Sequence, residues 1–243
     1  MHHPRFLKHV KEVEELKKIA GISACSYVQD GMILGLGTGS TVKYTIIEIG
    51  RKISEENLDI IGVPTSLETK KLAENLNIPL MTIDDIVTVD LTIDGTDEFD
   101  DSFNLIKGGG GALTREKIVA KASKSMVVVA DSSKQVLTLG SFPLPIEVNL
   151  EKWIDVERQI SEFCPNDISL RGGKNDPFIT DNGGVILDAN FGPTIIKPRE
   201  LEEKIGRIQG VVEVGLFVGM CDAVVLASNE EVSILTNPLG RLS

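Results

Sequence analysis

Val10, Val13, Leu16, Ile19 and Ala20 recur at helical spacing among charged neighbours, so the chain begins with a predicted amphipathic helix over about residues 7–27. The next apolar run, Met32–Leu36, is unbroken and leads into glycines, as a buried strand does before a turn. The pattern then alternates. Helical periodicity returns over Thr41–Ile49, and strand-like runs cover Asp59–Val63 and Val87–Ile93. Between those strands Leu67–Leu76 reads as a helix that Ser66 can cap. Arg115–Ala122 is a further helix and Met126–Ala130 a strongly apolar strand. Strands exchanging with helices of this length predict βαβ units and a parallel sheet, hence an α/β fold.

After Gly140 the texture changes. SFPLPIEV carries two prolines, and the pattern from Trp153 to Phe217 reads helix, strand, strand, helix, strand. The expected helices are Trp153–Phe163 and Arg199–Ile208; the expected strands are Ile168–Leu170, Val185–Ala189 and Val211–Phe217. Turn chemistry at Thr180-Asp-Asn-Gly-Gly184 suits a hairpin. This order predicts a small α+β domain of the split βαβ, ferredoxin-like type. Cys221–Ala227 and Glu231–Leu235, joined through Ser228-Asn229-Glu230, form a last hairpin expected to rejoin the first sheet. The expected organisation is one domain from residues 1–140 plus 220–243 and a second from 141–219.

The 243 residues carry 25 Lys and Arg against 36 Asp and Glu, a formal net charge of −11. That balance argues against a nucleic-acid partner, whose backbone calls for a basic stripe, but leaves room for a small anion in a locally positive pocket. No apolar stretch approaches the roughly 20 residues that span a bilayer. The N-terminal residues lack the apolar centre of a secretory signal, so neither a membrane partner nor export is expected. Cys25, Cys164 and Cys221 are widely spaced without a CxxC pair, which suits reduced thiols in the cytoplasm. The three histidines, His2, His3 and His9, all lie near the N-terminus. Ser-His-Asp and Cys-His catalysis and histidine metal sites are disfavoured accordingly. No metal or cofactor is expected, and any chemistry falls to carboxylates, lysines, hydroxyls and backbone.

Three clusters are candidates for that chemistry. Gly35-Leu-Gly-Thr-Gly-Ser-Thr41 stands between a predicted strand and a predicted helix, where turned amides, hydroxyls and a helix N-terminus can cradle a phosphate. It is not GxGxxG, because Ser40 occupies the third glycine's place, nor a GxxxxGK[ST] loop. Equally, Ser40 or Thr41 can do no more than cap the helix. Asp94-Gly-Thr-Asp97-Glu98 ends a predicted strand, on the edge where open α/β sheets bind ligands. Its two aspartates can converge on sugar hydroxyls, or form an Asx turn in a solvated loop; the order of acids does not fit a calcium loop. Lys107 precedes four glycines, Gly108–Gly111, whose amides can form an oxyanion nest beside its ammonium. Glu116 follows in the first turn of the next helix, where the dipole favours its anion and burial opposes it. That competition suits a base working near neutral pH, although a capping box would also use Thr114 and Glu116. The clusters follow three successive strand–helix junctions and are expected to meet along one sheet edge. Proton transfer alpha to a carbonyl of a phosphorylated polyol would need nothing more.

In these motifs the chain resembles the type A ribose-5-phosphate isomerases. GLGTGST (35–41), DGTDE (94–98), KGGGGALTREK (107–117), VVVADSSK (127–134), FPLPIEV (142–148) and TDNGGVILD (180–188) match in order and spacing, over essentially the whole length. Thr96 and Gly111 stand where that family often has alanine, and neither removes a functional group. The resemblance implies a Rossmann-like parallel-sheet domain with a smaller α+β domain. It also implies a cofactor-free interconversion of D-ribose 5-phosphate and D-ribulose 5-phosphate through an enediolate, in the non-oxidative branch of the pentose phosphate pathway. By motif match, Glu116 is the base between C2 and C1, Lys107 with the Gly108, Gly109 and Gly110 amides holds the oxyanion, and Asp94 and Asp97 bind hydroxyls and assist ring opening. Thr38, Gly39, Ser40, Thr41, Gly95, Thr96 and Lys134 would contact the substrate, and Lys17 the phosphate. The implied assembly is a cytoplasmic homodimer or homotetramer whose partner is a small sugar phosphate. Rival readings are a CoA transferase or amino-sugar phosphate deaminase on a related sheet, and a sugar-phosphate sensor that binds without turnover. Such a sensor would usually carry a helix-turn-helix segment, which is not seen in the sequence.

Overall fold

The computed structural model describes residues 4–85, 88–229 and 231–242, with side chains described from Val13 onward. Residues 1–3, Val87 at the expected start of a strand, and Glu230 in the last hairpin lie outside the described residues. In chain order the elements begin α1 (Pro4–Ser23), β1 (Met32–Leu36), α2 (Val42–Glu56), β2 (Ile60–Pro64), α3 (Leu67–Asn75), β3 (Val89–Gly95), β4 (Glu98–Phe99), β5 (Leu105–Ile106), α4 (Leu113–Ala122) and β6 (Ser123–Asp131). They continue β7 (Leu144–Val148), α5 (Trp153–Ser161), β8 (Ile168–Leu170), β9 (Val185–Ala189), α6 (Pro198–Gly206), β10 (Val211–Val214), β11 (Leu216–Phe217), β12 (Ala223–Ala227) and β13 (Val232–Thr236). The chain divides into two compact units, one of Met1–Gly95, Val119–Lys134 and Cys221–Ser243, the other of Thr96–Ile118 and Gln135–Met220. The division expected from the sequence puts 96–118 with the first unit. In the structure these residues go with the second, because β5 pairs with both β4 and β11, and 135–140 and Met220 go with it too.

The first unit is built on a six-stranded sheet in the order β13-β12-β6-β3-β1-β2, parallel except for the β12–β13 hairpin. Leu34, Leu36, Ile93, Val127, Val129 and Val225 bury their side chains in one core with Ile46 and Ile49 of α2. Strands covered on both faces need near-continuous apolar runs, which is why these stood out in the sequence. Two helices are set by local chemistry. Ser66 caps α3, its hydroxyl accepting from the Thr69 amide at 3.0 Å. Helix α2 runs well past Ile49 because Arg51 ties its polar tail to Glu48, Glu55 and Glu56, and Asn57 closes it in the left-handed region at φ 58°.

In the second unit a four-stranded antiparallel sheet, order β10-β7-β9-β8, has α5 between β7 and β8 and α6 between β9 and β10, a split βαβ connectivity. Ile146, Val148, Val185 and Leu187 of the sheet pack with Val156 and Ile160 of α5 and Ile205 of α6. Strand β7 is absent from the expected elements because Pro145 breaks the pattern. Its carbonyl accepts from the Gly215 amide at 2.8 Å, just past the end of β10 at Val214. A residue's nitrogen faces the same side as its carbonyl, so the missing N–H falls where β10 has already ended. The single strand expected over Val211–Phe217 is two in the structure, breaking at Gly215. Strand β10 pairs with β7, whereas β11 joins β5 and β4 in a three-stranded sheet. The Gly215 carbonyl accepts from the Lys107 amide at 2.8 Å. A Cβ at Gly215 would lie 2.4 Å from the Lys107 carbonyl oxygen and 2.7 Å from that of Pro145, so only glycine fits this crossing.

Candidate functional site

In the first unit the ends of β1, β2 and β3 meet at the carboxyl edge of the sheet. The buried Asp94 carboxylate turns back, and its Oδ1 accepts from the amides of Thr38 at 3.0 Å and Gly95 at 2.7 Å. Thr38 Oγ1 lies 2.7 Å from Thr65 Oγ1 and 3.2 Å from Thr69 Oγ1. Those two threonines in turn donate to the Leu36 carbonyl at 3.1 Å and the Gly37 carbonyl at 2.8 Å. The glycine-rich turn is therefore held from below by a carboxylate and from one side by hydroxyls. At the N-cap of α2, Thr41 makes no side-chain capping bond. Gly39 and Ser40 are exposed at the crest of the turn, and Gly95 lies against the Thr38 carbonyl.

In the second unit the backbone of β5 runs directly into Lys107 and the glycines. Lys107 is 1% exposed and Glu116, on the first turn of α4, 4%. Lys107 Nζ stands 3.5 Å from Glu116 Oε1, and 5.5 Å from the centroid of the Phe217 ring. Thr114, the other residue of a would-be capping box, instead gives its hydroxyl to the buried Glu147. Asp97 belongs to the same cluster. Its amide donates to the Ile106 carbonyl at 2.9 Å, and its Oδ2 accepts from the Gly109 amide at 2.7 Å. A Cβ on Gly109 would meet Asp97 Oδ1 at 2.4 Å, so this approach depends on glycine. A buried carboxylate and ammonium, with turned amides beside them, can move a proton from carbon and hold the oxyanion left behind.

The remaining candidates differ in how they are placed. Thr96 directs its hydroxyl at the carbonyls of Glu98 (2.6 Å) and Ile106 (3.0 Å). Lys134 closes a short 3-10 turn after β6 and is half-buried. Lys17 lies on α1, with its ammonium 3.7 Å from Glu14 one turn earlier. Reading the sequence missed several supports. Thr65 and Thr69 hold the Thr38 turn; Glu98 accepts from the amides of Gly140 (2.8 Å) and Phe142 (2.5 Å); Phe217 underlies Lys107. Hydroxyls at the end of β2, neighbouring the glycine turn, were the one signal available for the threonines. Among the described residues no helix is long and apolar enough to cross a membrane.

Comparison with known proteins points to one family. The family model described as ribose 5-phosphate isomerase A (phosphoriboisomerase A) matches residues 61–231. A ribose-5-phosphate isomerase A of Streptococcus equi subsp. equi is 48% identical over 223 residues, covering 92% of this chain and 97% of the relative. One from Bacillus mycoides is 46% identical over 214 residues, covering 88% and 96%. Among solved structures, ribose 5-phosphate isomerase A from Methanocaldococcus jannaschii matches with a TM-score of 0.86 at 42% identity, over 92% of this chain and 99% of that one. A D-ribose-5-phosphate isomerase in complex with phospho-erythronic acid matches with a TM-score of 0.88 at 41% identity, over 92% and 99%.

Proposed function

The chain belongs to the ribose-5-phosphate isomerase A family, and on that premise we propose that it interconverts D-ribose 5-phosphate and D-ribulose 5-phosphate with Glu116 as the base. The observation that carries the assignment is the buried Lys107–Glu116 pair, 3.5 Å apart at the end of the glycine run. Once the furanose has opened, the Glu116 carboxylate takes the proton from C2. The C–H electron pair becomes the C1–C2 double bond, and the carbonyl π pair moves onto O1. Lys107 and the Gly108–Gly110 amides stabilise that oxygen. Glu116 returns its proton to C1 while the O2 proton passes to O1, leaving the carbonyl at C2. Asp97 is assigned the ring-opening proton transfer. Asp94, with Oδ1 committed to the Thr38 amide, keeps the glycine turn in shape. Thr38, Gly39, Ser40, Thr41, Gly95, Thr96 and Lys134 are assigned to substrate binding, Lys17 to the phosphate. Family resemblance also supports a cytoplasmic homodimer or homotetramer.

The test is a coupled assay of the purified protein and of Glu116→Gln with ribose 5-phosphate. The amide keeps size and polarity but cannot accept the proton. KM should stay within several-fold and kcat fall by about 10²–10⁴. Near-normal turnover by the variant refutes the assignment of the base, and an inactive wild type refutes the reaction.

A further inference from the structure

Arg171 follows β8 directly, and its backbone is fixed at both ends, the amide donating to the Ile186 carbonyl and the carbonyl accepting from the Phe178 amide, each at 2.9 Å. Its guanidinium uses one edge for Asp188 of β9, Nε to Oδ2 at 2.9 Å and Nη2 to Oδ1 at 2.5 Å. The remaining nitrogen, Nη1, donates to two successive carbonyls of the glycine run, Gly108 at 2.9 Å and Gly109 at 3.1 Å. None of these bonds touches the groups assigned above to proton transfer.

They nevertheless decide where two amides point. In a planar trans peptide the C=O of one residue and the N–H of the next point in opposite directions. Holding the Gly108 and Gly109 carbonyls on Arg171 therefore turns the Gly109 and Gly110 amides to the far side. That is the side of Asp97, whose carboxylate receives the Gly109 amide. A cation at the carbonyl end also polarises both peptides and strengthens their N–H groups as donors. We propose that Arg171, oriented by Asp188, is a positioning residue for the reaction: it pins the backs of two glycine peptides so that their amides face Asp97 and the developing oxyanion. The proposal rests on the isomerase reading. Lysine cannot substitute, because its single ammonium cannot hold a carboxylate edge-on while serving two carbonyls from a fixed plane.

The test compares Arg171→Met, Arg171→Lys and Asp188→Asn with wild type in ribose 5-phosphate turnover, and follows hydrogen exchange of the peptide spanning residues 107–112. An oxyanion donor displaced by about 1 Å costs on the order of 10²-fold. Arg171→Met should therefore lower kcat about 10- to 100-fold, with KM unchanged within threefold and clearly faster exchange over 107–112. Arg171→Lys should recover little of the loss, and Asp188→Asn should lie between wild type and Arg171→Met. A kcat within twofold of wild type in a folded variant, or a loss falling on KM alone, overturns the proposal. Should Arg171→Met not fold, Arg171→Lys and Asp188→Asn are judged by the same criteria. A wild type without turnover defeats the isomerase reading instead. The exchange measurement still judges the clamp in that case, and unchanged protection over 107–112 overturns it.

Discussion

Gly109→Ala probes the closest approach in the cluster with a single added carbon. The new Cβ would stand 2.4 Å from Asp97 Oδ1 and 2.9 Å from both Cγ and Oδ2. Relaxing the first contact to ordinary van der Waals distance requires the carboxylate to retreat by about 1 Å. The Gly109 N–H···Oδ2 bond, now 2.7 Å, then stretches beyond useful range. Losing a hydrogen bond to a charged group costs about 1.5–3 kcal/mol, and misplacing a reacting group by about 1 Å costs on the order of 10²-fold in rate. As a change in barrier, 10²-fold is about 2.7 kcal/mol. kcat/KM should therefore fall about 10²-fold in the coupled assay. Gly109 is exposed and Asp97 only half-buried, so the fold should feel little of this. A stability loss of about 1 kcal/mol lowers the melting temperature of a protein this size by about 2–4 °C, readable by circular dichroism. A variant that keeps kcat/KM within threefold of wild type would refute the reasoning, because Asp97 would then have no part in turnover.

Other consequences concern charge and burial. Lys107→Ala should lower kcat more than substrate affinity; calorimetry with ribose 5-phosphate showing mainly lost affinity would contradict the oxyanion role. Lys117→Met should destabilise the fold by about 3–5 kcal/mol in chemical denaturation, because it removes a buried ammonium from two carboxylates. That ammonium is bound by Glu202 at 2.7 Å, Glu213 at 2.9 Å and the Val214 carbonyl at 2.6 Å, and a loss under 1 kcal/mol would refute its structural importance. Burial pushes the Cys25 thiol up to about 12, so at pH 8 in the native protein it should resist a thiol reagent while the half-buried Cys164 reacts. Equal labelling of the two, read by peptide mass spectrometry, would contradict that placement.

What could be read from the sequence was whatever is contiguous in it. The boundaries of β1, β8 and β9 follow from short apolar runs between turn residues, and Lys107, the glycines and Glu116 stand within ten positions of one another. The supports come from elsewhere in the chain and carry no local mark. Thr65 and Thr69 lie beyond another strand, Arg171 follows a three-residue strand, and Phe217 looks like any core aromatic. Strand β7 was hidden because proline argues against a central strand unless the neighbouring strand has already stopped. Strands β4 and β5, two residues each, are too short to show a period. The length of α2 was missed because its tail is held by charge pairs rather than by apolar spacing.

The crossing at Gly215 bears on how such a chain can change over time. One residue separates the strand read by β7 from the strand read by β5, and that residue also grips the amide that precedes the glycine run. Inserting or deleting a position there would flip every side chain of β11 to its opposite face, expelling Phe217 from beneath Lys107. Substitutions can accumulate on either side of this point, but the count of residues across it is not free to drift.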